Sequence, residues 1–136
     1  MNIAIIAHDQ KKELLLQFCM MHCAALSKHS LMATAATGKY VSAHTGLKFE
    51  LFLSGNNGGI EQIGSKIAYN EVDLLIFFRD PTVIHDPESI GILRLCDMHN
   101  VPLATNITSA EIMMKALESG IIKSRENITP YNSREI

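Results

Sequence analysis

Two short apolar runs constrain the fold of this chain more than any other feature. Ile3–Ala7 is continuous, apolar and rich in β-branched residues, and Asp73–Phe78 is the most hydrophobic run of all. An uninterrupted apolar run of this length is typical of a strand that is buried on both faces, as the strands of parallel sheets are. Three further runs predict strands at Leu31–Thr34, Lys48–Leu53 and Val101–Thr105.

Helical patterns separate these five strands. Leu14, Phe18, Met21 and Ala25 fall on one stripe of a helix that Asp9 can cap. Further helices are predicted over Lys39–His44, from the glycine-rich segment to about Asn70, from about Glu88 to His99, and from a capping box at Thr108–Glu111 to Gly120. The alternation of strands and helices predicts an α/β fold, a three-layer α/β/α sandwich with a five-stranded parallel sheet.

No linker-like change of composition and no internal repeat divides the sequence, so residues 1–136 are predicted to form a single domain. After about Ile121 the tail is polar and is predicted to be a short strand with a loose end. The formal net charge of −2 offers no basic surface for nucleic acid. No apolar run approaches the ~20 residues of a membrane span, and the N-terminus lacks the basic region of a signal peptide. We therefore expect neither a nucleic-acid partner nor a membrane association.

The cysteines indicate a reducing environment. Cys19, Cys23 and Cys96 are odd in number and have apolar neighbours, which argues against a disulfide framework and predicts a cytoplasmic protein. Cys19, His22 and Cys23 could suggest a metal site, but a structural zinc site needs four ligands at closer spacing. We interpret Cys19 and Cys23 instead as small buried hydrophobic residues on one face of a helix.

A glycine-rich segment runs from Ser54 to Gly64, between a predicted strand and the helix that follows it. A turn of this kind presents backbone N–H groups at the start of a helix, which is an arrangement that binds anions. The Ser54 hydroxyl and the N–H groups of Gly55, Gly58 and Gly59 are therefore candidate ligands of phosphate oxygens.

Polar residues also follow the other predicted strands. In an open parallel sheet, ligands bind outside the carboxyl ends of the strands. These ends carry His8-Asp9, Thr34 to Gly38, Arg79-Asp80-Pro81 and Thr105-Asn106. The hydroxyls of Thr34 and Thr37 could bind phosphate oxygens, and Lys12, in the first turn of its helix, could add a positive charge. The set predicts a site for a small phosphorylated substrate.

A histidine and two acidic residues supply candidate chemistry. His85 could polarise a carbonyl as a neutral donor, and Asp9 and Asp80 could orient a substrate or move protons. Plainer interpretations exist: Asp9 as a helix cap, Asp80-Pro81 as a turn, and His85-Asp86-Pro87 as a turn and N-cap. A metal site built from His8, Asp9, Asp80, His85 and Asp86 is also conceivable, but their spacing matches no metal motif, so no metal is predicted.

The chain resembles methylglyoxal synthases from about Ile3 to Glu118, which is most of its length. The resemblance lies in motifs that occur in order: Ala7-His8-Asp9 followed by Lys12, Ala33-Thr34 and Thr37-Gly38, Ser54-Gly55 with Gly58-Gly59 and Gln62-Ile63-Gly64, Phe77-Phe78 with Asp80-Pro81, His85-Asp86-Pro87, and Pro102 to Asn106. As a set these motifs are specific for that family's fold, a five-stranded parallel sheet.

The resemblance implies a carbon–oxygen lyase that converts dihydroxyacetone phosphate to methylglyoxal and phosphate without a metal or organic cofactor. A carboxylate removes a proton from the carbon next to the carbonyl, and the enediolate then expels phosphate. The resemblance makes His85 the carbonyl-polarising group and Asp9 and Asp80 supporting acids. It implies contacts to the substrate or its phosphate from His8, Lys12, Thr34, Thr37, Ser54 and Gly55. It also implies a homohexamer that binds a small phosphorylated substrate.

Several positions depart from the family's pattern. The residue after the two glycines is the family's proton-abstracting aspartate, and here it is Ile60, which cannot take a proton. Glu61 is adjacent, but one residue at a helix start turns a side chain by ~100°, so Glu61 can serve only if the loop shifts. The remaining departures are Ala35-Ala36 in place of a hydroxyl-bearing pair, a shortened stretch from Asp80 to His85, Glu88 where an aspartate is common, and Arg134 as the candidate for the family's C-terminal arginine.

Three functions are compatible with these residues. The first is a methylglyoxal synthase in which Glu61, Asp9 or Asp80 acts as the base. The second is a catalytically impaired module that binds a small phosphorylated or anionic effector, and the third is a lyase or isomerase for another phosphorylated substrate. We favour the first because Asp9, Asp80 and His85 have no evident use in a sensor.

Overall fold

The computed structural model describes residues 1–127, and its centre is a five-stranded parallel sheet. The strands are β1 (Asn2–Ala7), β2 (Ser30–Thr34), β3 (Phe49–Phe52), β4 (Leu74–Phe78) and β5 (Leu103–Ala104), in the spatial order β3-β2-β1-β4-β5. All four neighbouring pairs run parallel. The predicted α/β class with a five-stranded parallel sheet is confirmed.

Helices cover both faces of this sheet. They are α1 (Lys12–Met21), α2 (Cys23–Leu26), α3 (Ala35–Thr45), α4 (Gly59–Ala68), α5 (Pro87–His99) and α6 (Ile107–Glu118). One apolar cluster joins the sheet to α1, α3 and α6, and a second joins it to α4 and α5. The layers are therefore helix, sheet and helix, as predicted.

The β1 strand supplies side chains to both apolar clusters. Ile3, Ile5 and Ala7 belong to the cluster under α1, α3 and α6, whereas Ala4 and Ile6 belong to the cluster under α4 and α5. Successive side chains of a strand point to opposite faces, so a strand covered on both sides needs apolar residues at every position. This requirement explains why the sequence of β1 is uninterrupted in its hydrophobicity.

The buried face of α1 differs from the predicted stripe. Met21 is 77% exposed, whereas Leu15 and Cys19 are buried beside Phe18. Asp9 does not cap the helix, because it begins a separate 3-10 turn that precedes α1 and whose cap position makes no side-chain hydrogen bond. The predicted stripe assumes one continuous helix, but α1 ends at Met21 and Ala25 lies in the separate helix α2, so the four residues do not share one helix face.

The α6 helix begins earlier than the predicted capping box. Its N-cap is Asn106, whose side-chain oxygen accepts a hydrogen bond from the Ser109 N–H at 3.0 Å. Thr108 lies inside the helix. The cap residue is still one that favours this position, since asparagine ranks with aspartate and serine there.

The segment after α6 is packed rather than loose as far as the structure describes it. Ile122 is buried in the apolar cluster under α1, α3 and α6, and Arg125 is buried and opens a 3-10 turn, Arg125–Asn127, instead of a strand. Pro130 and Arg134, which belong to the rest of the predicted tail, lie outside the described residues.

The strand order places a crevice at one end of the sheet. The chain passes from β1 to β2 and β3 on one side and then returns to place β4 on the other side of β1. Ligands of open α/β sheets bind outside the carboxyl ends of the strands at such a switch point. Across residues 1–127, no helix is long and apolar enough to cross a bilayer.

Candidate active site

A cleft of about 320 Å³ lies at the carboxyl edge of the sheet. Volumes of this order are found at small-molecule sites, which span roughly 300–1,000 Å³. Most of the predicted site residues line it, namely His8, Asp9, Lys12, Thr34, Thr37, Ser54, Gly55 and His85. They come from the loops after β1, β2, β3 and β4, so the sheet brings together segments that are far apart in the chain.

Two buried threonines and a helix start form one wall of the cleft. Thr34 and Thr37 are 2% and 1% exposed, and the Thr34 hydroxyl donates to the Thr37 hydroxyl oxygen at 3.2 Å. Thr34 is also the N-cap residue of α3, and no side chain caps that helix start. The first N–H groups of a helix have no intrahelical acceptor and attract anions. This wall therefore suits a phosphate group.

The glycine-rich turn forms the facing wall. The Ser54 hydroxyl donates to the Asn56 side-chain oxygen at 3.1 Å, and the Ser54 carbonyl accepts hydrogen bonds from the N–H groups of Asn57 and Gly59. Gly58 has φ +100°, which disfavours any side chain. A Cβ on Gly59 would lie 1.9 Å from the Leu53 carbonyl oxygen. The glycines thus fix a tight loop whose start, at Ser54 and Gly55, faces the cleft.

Lys12 supplies a positive charge to the cleft. Its Nζ lies 2.7 Å from a carboxylate oxygen of Asp9, and its side chain is more buried than that of Asp9. The ion pair, through hydrogen bonding and charge attraction from Lys12, lowers the pKa of Asp9 below its usual range. Asp9 is therefore ionised at neutral pH and orients the ammonium group that an anionic ligand would meet.

His8 is held at both ring nitrogens. Its Nδ1 accepts a hydrogen bond from the Asp80 N–H at 2.7 Å, and its Nε2 lies 2.7 Å from a carboxylate oxygen of Asp86. Because Nδ1 accepts, the ring proton lies on Nε2 and is donated to Asp86. The edge of the ring packs against Phe77. His8 therefore links the end of β1 to both ends of the loop that follows β4.

Asp86 is the partner that holds this loop to α5. It is the N-cap of α5 and accepts hydrogen bonds from the Ser89 N–H and the Ser89 hydroxyl as well as from His8. Burial raises the pKa of Asp86, but hydrogen bonds from Ser89 and His8 outweigh burial and leave that pKa below its ordinary value. Asp86 is therefore a fixed anion beneath the cleft.

Comparison with known proteins agrees with this geometry. A family model described as MGS-like domain matches residues 15–105. Methylglyoxal synthase from Caldicellulosiruptor saccharolyticus is 52% identical over 132 residues, which are 96% of this chain and 94% of that protein. Methylglyoxal synthase from Brevibacillus brevis is 50% identical over 134 residues, which are 97% of this chain and 98% of that protein. The chain belongs to the methylglyoxal synthase family.

A solved structure of this family has the same fold. The crystal structure of methylglyoxal synthase from Elizabethkingia anophelis superposes with a TM-score of 0.79 at 37% identity, covering 83% of this chain and 76% of that chain. The resemblance to methylglyoxal synthases that the sequence motifs carry is therefore confirmed.

The structure separates Ile60 from Glu61. Ile60 lines the cleft and is 6% exposed, packed with Ile6 in the apolar cluster under α4 and α5. Glu61 is exposed and does not line the cleft. One carboxylate oxygen of Glu61 lies 3.9 Å from the position that a Cβ on Gly58 would occupy. The cleft wall of this methylglyoxal synthase family member is therefore hydrocarbon at the first turn of α4.

Asp80 also turns away from the cleft. Its carboxylate accepts hydrogen bonds from the N–H and the hydroxyl of Thr82, and it does not line the cleft. These bonds from Thr82 lower the pKa of Asp80. Asp80 and Pro81 form a turn, which is one of the two interpretations that the sequence allows. Asp80 contributes to the site through its backbone N–H, which donates a hydrogen bond to His8.

Some residues of the cleft carry no predicted role. Asn56 and Val83 line it, and Glu88 reaches it from the first turn of α5. Asp86 was predicted only as an N-cap or metal ligand, yet it also holds His8. The Asp-Pro pair that signals a helix start could have indicated that Glu88, one residue further on, faces the same edge.

The described residues contain no group of three or more His, Cys, Asp or Glu side chains placed to hold a metal ion. His8 and Asp86 bond to each other, Asp80 bonds to Thr82, and Asp9 is paired with Lys12. His22 is paired with Glu111 on α6, whereas Cys19 is buried. Neither candidate set therefore converges on a common point.

Proposed function

We propose that the protein converts dihydroxyacetone phosphate to methylglyoxal and inorganic phosphate. Sequence identity of 52% and 50% to methylglyoxal synthases over nearly the whole chain supports a phosphate-eliminating lyase. The proposal depends on one observation: groups that can bind phosphate and the imidazole of a histidine line the same cleft. The candidate phosphate ligands Thr34, Thr37, Ser54 and Lys12 line this cleft, and so does His85.

The chemistry needs few protein groups. A base takes a proton from the hydroxymethyl carbon. The electron pair of that carbon–hydrogen bond forms a double bond to the carbonyl carbon, and the carbonyl oxygen becomes the negatively charged oxygen of an enediolate. The hydroxyl of the enediolate then passes its proton to the departing phosphate and becomes an aldehyde, a new double bond forms to the third carbon, and the carbon–oxygen bond to phosphate breaks. Ketonisation of the resulting enolate places the proton held by the base on that third carbon and gives methylglyoxal.

The cleft stabilises both charges that develop. The His85 imidazole can donate to the enediolate oxygen as a neutral acid. The phosphate leaves as an anion, and the N–H groups at the α3 start, the Thr34 and Thr37 hydroxyls and the Lys12 ammonium favour that anion. Groups that stabilise the departing phosphate anion lower the barrier to its elimination.

A second function is favoured by one observation. Ile60 occupies the cleft at the position where the resemblance expects an aspartate, so the protein can be a module that binds a small phosphorylated or anionic effector without turning it over. Its phosphate wall would serve either role. The two functions differ in product formation and not in affinity for phosphate.

An assay of product formation separates the two. The purified protein and its variants Ile60→Asp and His85→Gln are incubated with dihydroxyacetone phosphate while methylglyoxal and phosphate are measured. We expect turnover by the unmodified protein and a loss of about 100-fold or more in His85→Gln, in line with the contribution of one acid catalyst. No turnover by the unmodified protein, together with saturable phosphate binding in calorimetry and activity gained in Ile60→Asp, would establish the effector module instead.

We also propose a cytoplasmic homohexamer, which the resemblance supports. Light scattering coupled to size-exclusion chromatography measures the mass in solution. A monomer or dimer at assay concentration would contradict it.

A further inference from the structure

We infer that Glu88 is the base that removes the proton from dihydroxyacetone phosphate in this protein. The inference rests on the proposed function, which needs a proton acceptor beside the hydroxymethyl carbon. Ile60 is a hydrocarbon and cannot accept a proton. Another carboxylate must act, and the geometry of the cleft distinguishes the candidates.

Two cleft carboxylates already have strong partners. Asp9 is paired with Lys12 at 2.7 Å. Asp86 accepts hydrogen bonds from His8 and from both the N–H and the hydroxyl of Ser89. Donors of this kind stabilise the ionised form and make a carboxylate a weaker base. Asp86 could accept a proton only by giving up the bonds that cap α5 and hold His8.

Two other predicted bases do not reach the cleft. Glu61 is exposed on the first turn of α4, outside the cleft lining, while its neighbour Ile60 points inward. Asp80 is held in its turn by two hydrogen bonds from Thr82. Using either residue would require a rearranged loop, and an error of about 1 Å in position can cost roughly 100-fold in rate.

Glu88 meets the requirements that the others fail. It follows Pro87 in the first turn of α5 and lines the cleft together with His85. Among residues 1–127, no lysine, arginine or histidine forms an ion pair with it. Of the carboxylates that line the cleft, Glu88 is therefore the one available to take a proton from the substrate.

The assignment divides the chemistry between two residues. Glu88 takes the carbon-bound proton, the carbon–hydrogen bond pair forms the enediolate double bond, and His85 donates to the enediolate oxygen. A carboxylate base with a neutral imidazole donor is an established arrangement for enolising a triose phosphate. Glu88 returns its proton to the third carbon when the enolate of methylglyoxal ketonises, and the hydroxyl proton leaves with phosphate, so the cycle needs no further reagent.

The test compares Glu88→Gln with Glu88→Asp, Glu61→Gln and the control Glu118→Gln, which changes an exposed glutamate in the last turn of α6. We expect Glu88→Gln to lower kcat by roughly 100- to 10,000-fold, with KM and phosphate affinity nearly unchanged. In deuterium oxide, Glu88→Gln should incorporate less deuterium into the recovered dihydroxyacetone phosphate and into the product than the unmodified protein does. Glu88→Asp should keep partial activity, and Glu118→Gln should match the unmodified protein.

The kinetics of these variants distinguish a wrong assignment of Glu88 from a wrong proposed function. Glu88→Gln with more than about a tenth of the normal kcat overturns the assignment while leaving the proposed function intact. Loss of activity confined to Glu61→Gln assigns the base to Glu61 and also overturns it. An inert unmodified protein overturns the proposed function and the assignment together. Phosphate calorimetry and thermal melting of Glu88→Gln show that a loss of kcat is not a loss of fold.

Discussion

His8 is a polar residue at a strand end whose two ring nitrogens both bond within the protein. Its Nδ1 accepts from the Asp80 N–H and its Nε2 donates to Asp86. With both nitrogens engaged, the ring has no donor left for a phosphate. We therefore regard His8 as a positioning residue for the loop from Asp80 to Asp86, which carries His85.

Replacing His8 tests this view. We expect His8→Ala to reduce kcat/KM by about 100-fold, because His85 loses its alignment. The free energy of unfolding should fall by about 1–3 kcal/mol, because Asp86 and the Asp80 N–H lose a partner. Steady-state kinetics and urea denaturation measure both, with His44→Ala, an exposed histidine of α3, as the control. A loss of phosphate affinity equal to the loss of kcat/KM would instead make His8 a phosphate ligand.

Asp86 gives the protein a pH-dependent element of stability. Burial opposes ionisation, but hydrogen bonds from Ser89 and His8 prevail, so the pKa of Asp86 is lower in the folded chain than its ordinary value of 3.8. A carboxyl whose pKa is lower when folded adds stability that is complete above the unfolded pKa and is lost as pH falls through the folded pKa.

The matched experiment is Asp86→Asn against Asp97→Asn, an exposed position of α5. We expect the difference in unfolding free energy between the unmodified protein and Asp86→Asn to be constant from about pH 5 to 7. Below about pH 4 it should shrink, since unfolded aspartate titrates near 3.9. Urea denaturation at several pH values measures the difference. A difference in unfolding free energy that stays constant to the lowest pH would show that protonation of Asp86 does not contribute to the pH dependence of stability.

At the scale of elements, the glycine-rich turn depends on one close approach. A Cβ at Gly59 would lie 1.9 Å from the Leu53 carbonyl oxygen and 2.9 Å from that of Ser54. The backbone of the α4 start must therefore move if any side chain is added. The same movement would displace Ser54 and Gly55 from the cleft.

Alanine substitutions at two glycines separate packing from helix propensity. Gly59→Ala should destabilise the protein by about 1–3 kcal/mol, as overpacking does, and should weaken phosphate binding. Gly91→Ala, in the middle of α5 with nothing within 4 Å of the new Cβ, should stabilise it by about 1 kcal/mol. Thermal melting and calorimetry measure both effects. Equal stability of the two variants would contradict the close packing at Gly59.

The elements differ in how well their sequences predict them. The strand over Ile3–Ala7 and the residues after it are predictable, because burial on both faces requires an unbroken apolar run. The hydrogen bond from the Asp80 N–H to His8 is not, since the two residues are 72 positions apart in the chain. The N-cap at Asn106 lies two residues before a second plausible cap, Thr108, and the local sequence does not distinguish the two.

At the scale of the whole molecule, the edge of the sheet opposite the cleft is tied together by one arginine. The guanidinium of Arg125 donates to the Asn70 side-chain oxygen at 3.1 Å, to the Asn100 carbonyl at 3.0 Å and to the His99 carbonyl. Its backbone N–H donates to Asp73, which also accepts from the N–H of Asn2. Arg125 thus joins the C-terminal ends of α4 and α5 to the start of β1.

This placement predicts an effect on stability without an effect on chemistry. Arg125→Ala should lower the free energy of unfolding by about 3 kcal/mol, because hydrogen bonds to a charged group contribute about 1.5–3 kcal/mol and cations favour helix C-termini. Arg94→Ala, an exposed arginine of α5, should change it by less than about 0.5 kcal/mol. Below the melting temperature both variants should keep the normal kcat/KM, since Arg125 lies at the far end of the strands from the cleft. A large loss of kcat/KM in folded Arg125→Ala would mean that the two ends of the sheet are coupled.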